Sequence, residues 1–128
     1  MRSLEEKIRV LIIDDSPFIH KTIKKALADN EGIEVVGTAE NGRIGLDMVE
    51  SLKPDIVTLD VTMPVMDGLE TAEEMAKTHP SVKVIMLSAM GDNDLVTKAT
   101  SLGVKHFLTK PFESKDLQKA IFNVLREA

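Results

Sequence analysis

Short, continuous runs of apolar residues recur near residues 9–14, 33–38, 55–60, 82–87 and 104–108, and they are rich in valine and isoleucine. Continuous rather than alternating apolarity is how a strand reads when both of its faces are covered. Between the runs, apolar residues fall at helical spacing. Phe18, Ile19, Ile23, Ala26 and Leu27 mark a helix from Pro17 to Asp29, with Ser16 as its N-cap and proline at its first position. Ile44, Leu46, Met48, Val49 and Leu52 mark a second over 42–52, which Lys53-Pro54 ends. A third runs from about Leu69 to Lys77, a fourth from about Asp92 to Leu102 with Gly103 as its stop, and a fifth from about Ser114 to Arg126. Strands alternating with helices in this way predict an α/β domain with a parallel sheet, right-handed crossovers and helices on both faces.

Composition narrows the classes of function. At 128 residues the chain reads as one domain, residues 1–128, with no linker, repeat or low-complexity tract. A domain of this size buries roughly 70% of the surface its unfolded chain exposes, so it needs no staple. It has no cysteine, which excludes disulfide and thiolate chemistry. The start, Met-Arg-Ser-Leu-Glu-Glu-Lys, lacks the apolar centre of a signal peptide, and no run approaches the ~20 apolar residues of a membrane span. The expected location is therefore the cytoplasm, with no membrane partner. A net charge of −5 and the absence of Tyr and Trp argue against nucleic acid as a partner, since such binding draws on Lys, Arg and stacking aromatics.

Polar residues close four of the apolar runs. Asp14 and Asp15 follow the first, Asp60 ends the third, Ser88 ends the fourth, and Lys110 follows the fifth. In an open parallel sheet, ligands bind outside the carboxyl ends of the strands, where the strand order reverses. If these strands are neighbours, three carboxylates and an ammonium meet in one pocket. Carboxylates so placed repel one another, and at least one is driven toward protonation unless a cation intervenes. Hard oxygen ligands without His or Cys select Mg2+ or Mn2+, which leave positions for water and phosphate. Such a site suits phosphoryl transfer, which depends on positioning and charge neutralisation. A carboxylate can itself accept the phosphoryl group, and Asp60 is the best placed to do so. The Ser88 hydroxyl and the Ala89 N–H would hold a phosphoryl oxygen. Each feature also has a plainer explanation: Asp14-Asp15 as acids at a helix start, Asp60 as a turn cap, Lys110 as a solvated loop residue. Asp67-Gly68 reads as a turn and helix start. His20, His79 and His106 lie on different elements, which does not suit a shared metal.

Together, Asp14-Asp15, Asp60 with Met63-Pro64 and Asp67-Gly68, Ser88-Ala89, and Lys110-Pro111-Phe112 resemble the motif set of response-regulator receiver domains, over nearly the whole chain. Among these, Asp60-Val-Thr-Met-Pro and Ser88-Ala-Met-Gly are most similar to stand-alone chemotaxis regulators of the CheY type. CheY is itself a standard example of the flavodoxin-like sheet order 2-1-3-4-5, and that order is expected here through the resemblance. The resemblance implies that Asp60 is the phosphoacceptor, and that Asp15 binds Mg2+ directly, Asp14 mainly through water, and Thr62 through its carbonyl. It implies that Lys110 contacts the phosphoryl group, that the bond before Pro111 is cis, and that Ser88 and Phe107 switch on phosphorylation. Many relatives carry Tyr where this chain has Phe107, so a partner would read shape and apolarity there. Thr62, where chemotaxis members often have Asn, and Met90 would border the path of attacking water and bear on phosphoryl lifetime.

The resemblance further implies a signalling phosphoacceptor with intrinsic self-phosphorylation and autodephosphorylation, not a conventional enzyme. Its partners would be a histidine kinase as donor and a flagellar switch protein or phosphatase downstream, bound by a monomer through helix 4, strand 5 and helix 5. Alternatives are a receiver cut from a larger DNA-binding or enzymatic regulator, a phosphorelay intermediate, and a Mg2+-dependent phosphatase with an Asp nucleophile. The last would want a second Asp two residues after Asp60, where Thr62 stands. A flavodoxin-like flavin binder would want phosphate-cradling donors in the first loop, where Asp14 and Asp15 stand, and the P-loop motif is absent.

Overall fold

A computed structural model describes residues 7–126. Its elements alternate as β1 (Ile8–Ile13), α1 (Pro17–Leu27), β2 (Ile33–Ala39), α2 (Gly42–Leu52), β3 (Ile56–Asp60), α3 (Gly68–Thr78), β4 (Lys83–Ala89), α4 (Asn93–Ser101), β5 (His106–Lys110) and α5 (Ser114–Arg126). The strands form one sheet in the order β2-β1-β3-β4-β5, and every neighbouring pair is parallel. The α/β class and the 2-1-3-4-5 order expected above are both present.

Two cores explain why the strands read as unbroken apolar runs. Val10, Ile12, Ile56, Ile85 and Leu87 pack on one face with Ile23 and Leu27 of α1 and Leu117, Ile121 and Val124 of α5. Leu11, Ile13, Val57, Leu59 and Met86 pack on the other with residues of α2, α3 and α4, among them Val49, Met75 and Ala99. Successive strand residues point to opposite faces, so a strand with helices on both sides needs apolar side chains at every position. Burying each large side chain stabilises the fold by roughly 1.5–3 kcal/mol.

Local chemistry sets the helix starts. The Ser16 hydroxyl accepts the Ile19 N–H at 3.4 Å, Asn41 accepts that of Ile44 at 2.9 Å, and Asp67 accepts that of Glu70 at 2.9 Å. These caps satisfy donors with no partner inside the helix. At the far end of α2, Lys53 adopts a left-handed conformation (φ 50°) just before Pro54. The expectation for the last strand, 104–108, shifts to His106–Lys110. Val104 is buried, but its N–H bonds to the Ala99 carbonyl at 3.1 Å, which places it in the turn leaving α4. Lys110 is thus the final residue of β5 rather than a residue beyond it.

One residue in the centre of the sheet breaks the apolar rule. Thr58 of β3 is fully buried, and its hydroxyl has no hydrogen-bond partner among the described residues. An unpaired buried hydroxyl costs about 1–3 kcal/mol, and valine has nearly the same shape. Thr58→Val should therefore raise stability by about 1 kcal/mol. A urea titration should show a higher midpoint at unchanged slope, whereas a lower midpoint would mean that the hydroxyl is satisfied.

Candidate functional site

The strand order brings together residues far apart in sequence. Ile13 of β1 pairs with Leu59 of β3, so Asp14, one residue on, lies beside Asp60 at the carboxyl edge of the sheet. Asp60 pairs with Leu87 of β4, and Ser88 is the next residue along that strand. Lys110 pairs with Ala89 and lies two strands from Asp60, so its stem crosses the end of β4. The Lys110 ammonium reaches the Asp60 carboxylate at 3.0 Å and lies 3.7 Å from Asp14 Oδ2. Asp14, Asp15 and Asp60 each present a carboxylate oxygen, all within 4.8 Å of one another.

The acids differ in their surroundings. Asp14 is 1% exposed, Asp60 is partly covered, and Asp15 is exposed. Asp14 Oδ1 accepts the Ser16 N–H at 2.9 Å, whereas its buried Oδ2 has no hydrogen-bond partner among the described residues. Burial pushes the Asp14 carboxyl above its ordinary value of 3.8. The Ser16 N–H opposes that rise, Asp60 adds to it, Lys110 opposes it, and Asp15 adds to it. A buried carboxylate oxygen that lacks a hydrogen bond and lies among other carboxylates is what a hard divalent cation would satisfy. The donor set is all oxygen and suits Mg2+ or Mn2+.

The loops hold the acids in place. The imidazole of His20, on α1, donates from Nε2 to the Asp14 carbonyl at 2.6 Å and ties the first turn of that helix to the end of β1. After Asp60, the Gly68 N–H bonds to the Val61 carbonyl at 2.7 Å, and any Cβ on Gly68 would fall on the Asp60 carbonyl oxygen. Between them, Val65 has φ 67° at the centre of a tight turn closed by the Met66 N–H on the Pro64 carbonyl at 2.7 Å. A β-branched residue in that region costs of order 1–3 kcal/mol, and such strain clusters at functional sites. The Met66 carbonyl in turn accepts the Gly42 N–H at 3.1 Å, which anchors the loop to the start of α2.

The remaining candidates fall around this centre. Thr62 is exposed in the β3–α3 loop, Ser88 is buried, and the Lys110–Pro111 bond is cis. Phe107 is half-buried in β5 and packs against the core on the α2, α3 and α4 side. Ala89 departs from the simplest expectation. Its N–H does not stand open to the pocket but donates to Asp92 Oδ2 at 3.0 Å. Sequence reasoning placed Asp92 only at the start of a helix, and it passed over His20 and Gly68 as neighbours of the acids. An Asp three residues after a candidate oxygen-binding amide is the signal available for the first of these. His79 is occupied elsewhere, bonding Glu50 at 2.7 Å.

The family described as "Response regulator receiver domain" matches residues 10–122. A chemotaxis protein CheY from Listeria monocytogenes is 44% identical over 114 residues, covering 89% of this chain and 95% of that protein. A protein-glutamate methylesterase/protein-glutamine glutaminase from Trichodesmium erythraeum is 38% identical over 117 residues, covering 90% of this chain but 33% of that protein. Among solved structures, a chain of the CheX-CheY-BeF3-Mg2+ complex from Borrelia burgdorferi superimposes with a TM-score of 0.86 at 32% identity, covering 94% of this chain and 90% of that one.

Asp14 gives a pH signature. A carboxyl whose pKa is raised on folding binds more protons folded than unfolded, so it favours folding at low pH, and that contribution is lost as pH rises through the folded value. In the absence of divalent metal, Asp14→Asn should therefore raise the melting temperature at pH 7 by about 4 °C, the shift that ~1 kcal/mol gives a chain of this size. The gain should shrink as pH is lowered toward 3.8 and below. Calorimetric scans across that range check it, and a variant less stable than the parent at pH 7 would contradict the assigned direction.

Proposed function

The chain belongs to the response-regulator receiver domain family, and from that premise we propose that Asp60 accepts a phosphoryl group in a Mg2+-dependent reaction and that the phosphorylated domain acts by binding another protein. The observation that carries this reading is the Lys110 ammonium, held 3.0 Å from Asp60 beside the Asp14 and Asp15 carboxylates. In the proposed transfer, an Asp60 carboxylate oxygen attacks the phosphorus of a phosphohistidine on a histidine kinase, or of a small donor such as acetyl phosphate. With a kinase, a P–O bond forms as the P–N bond breaks, and the departing imidazole keeps the electron pair and takes up a proton. Asp15, Asp60 and the Thr62 carbonyl, with Asp14 mainly through water, would hold a Mg2+ or Mn2+ ion, which would neutralise the charge gathered there. Lys110 orients and neutralises the phosphoryl oxygens, and the Ser88 hydroxyl and Ala89 N–H hold another.

On this reading, residues 1–128 are a single receiver domain, a cytoplasmic monomer, and Phe107 changes position as Ser88 moves toward the phosphoryl group. The output surface is α4, β5 and α5, and its reader is a flagellar switch protein or a phosphatase. Chemotaxis is supported by the 44% identity to a CheY that this chain covers almost completely. A second setting, a receiver within a larger regulator, is favoured by the methylesterase relative, of which the matched part is 33%. Among the described residues, no helix is long and apolar enough to cross a membrane.

Intact-mass measurement after incubation with acetyl phosphate and Mg2+ should show one added phosphoryl group, absent in Asp60→Asn and after chelation of the metal. No adduct on the parent, or an undiminished one on Asp60→Asn, would overturn the assignment. Lys110→Ala should still bind Mg2+, followed by a metal titration, yet lose the gain in partner binding that phosphorylation confers. Undiminished partner capture by phosphorylated Lys110→Ala would remove Lys110 from the switch.

A further inference from the structure

Four helices of this fold begin at a residue able to cap them, and one of the four does not. Ser16, Asn41 and Asp67 each accept an N–H from the first turn of their own helix. Asp92 stands at the same position before α4 but makes no side-chain cap. Its carboxylate reaches back instead, accepting the Ala89 N–H at 3.0 Å, while the Asp92 N–H bonds to the Ala89 carbonyl at 3.3 Å. The two residues thus close a ring at the end of β4, on the strand next to that of Asp60 and at the same edge of the sheet. A backbone amide has a single proton to donate. While Asp92 holds it, a phosphoryl oxygen cannot have it.

We infer that Asp92 is a positioning residue that occupies the Ala89 N–H in the unphosphorylated protein, and that this carboxylate must leave before that amide can serve a phosphoryl group on Asp60. The inference rests on the phosphoacceptor reading above. The site holds a stand-in for the incoming group: an anionic oxygen, already hydrogen-bonded to the donor, supplied by the chain itself. Arrival of a second anion at the same donor sets two negative groups against one proton, and the singly charged, partly exposed Asp92 is the weaker competitor. Once free, it lies at the N-cap position of α4, where it can accept the Leu95 N–H as Asp67 accepts that of Glu70. Displacement therefore exchanges a bond at the phosphorylation site for a cap on α4. It passes occupancy of Asp60 to that helix without a change of fold.

The test uses beryllofluoride with Mg2+ as the probe and the backbone amide resonance of Ala89 as the reporter. Without the probe, Asp92→Ala should move the Ala89 proton upfield, because a carboxylate acceptor has been removed. With it, Asp92→Ala should bind beryllofluoride about tenfold tighter than the parent, the effect of removing one competing charge-assisted hydrogen bond. Asp92→Asn, which keeps an oxygen acceptor without the charge, should fall between them. Asp94→Ala, which removes a nearby charge that does not touch Ala89, should bind as the parent does. Equal or weaker binding by Asp92→Ala, or the same gain from Asp94→Ala, would overturn the inference, the latter by showing that charge alone is responsible. An unmoved Ala89 resonance in Asp92→Ala would overturn it before any probe is added. A parent that shows the amide shift but never takes up beryllofluoride at Asp60 would instead overturn the phosphoacceptor reading, and this inference with it.

Discussion

The attraction between Lys110 and Asp60, set against repulsion among three neighbouring carboxylates, is the constraint around which this sheet edge is organised. One ammonium cannot balance three carboxylates, and Asp14 shows the imbalance: buried, with one oxygen lacking a hydrogen bond among the described residues and its carboxyl pushed toward protonation. The site is in this sense unfinished by its own side chains. A divalent cation would supply the positive charge that is missing, and a phosphoryl group, itself anionic, would be taken up only alongside it. Strand order is what makes the imbalance unavoidable, because β1 and β3 are adjacent, β1 leads directly into Asp14-Asp15 and β3 ends in Asp60.

The rest of the architecture holds that edge steady. Both faces of the sheet are packed, so the strands cannot tilt to separate the acids without opening one of the two cores. His20 fastens the backbone at Asp14, and Gly68 lies against the backbone at Asp60. The strained turn at Val65 is tied at its next residue to α2. By contrast, the β4–α4 loop is closed by a side-chain and a backbone bond between Ala89 and Asp92. Close backbone contacts hold the acid side of the site, and hydrogen bonds between Ala89 and Asp92 hold the side that faces α4.

Much of this can be read from the chain itself. Apolar runs of strand length mark β1, β3 and β4 most clearly because these inner strands are covered on both faces, and Ser16, Asn41 and Asp67 are polar residues of the kind that start helices. The convergence of Asp14, Asp60, Ser88 and Lys110 follows from their shared position at strand ends. What does not follow is decided by tertiary contact. Nothing in Asp14-Asp15 says that the first is buried and the second exposed; that depends on the register of β1 against β3. Val104 looks like strand by composition, yet its amide is claimed by α4. Asp92 looks like any N-cap, and only the fold of the loop shows that its carboxylate faces backward to Ala89.

Gly68 has a consequence for anyone wishing to transplant this chemistry. Three acids and a lysine, copied onto the strand ends of another parallel sheet, would reproduce the charges but not the place where they meet. The peptide after Asp60 turns so closely beneath α3 that no side chain fits between helix and strand. The start of the helix therefore lies directly against the backbone that carries the carboxylate. The portable unit is the strand, the loop and the glycine at the head of the helix, taken together.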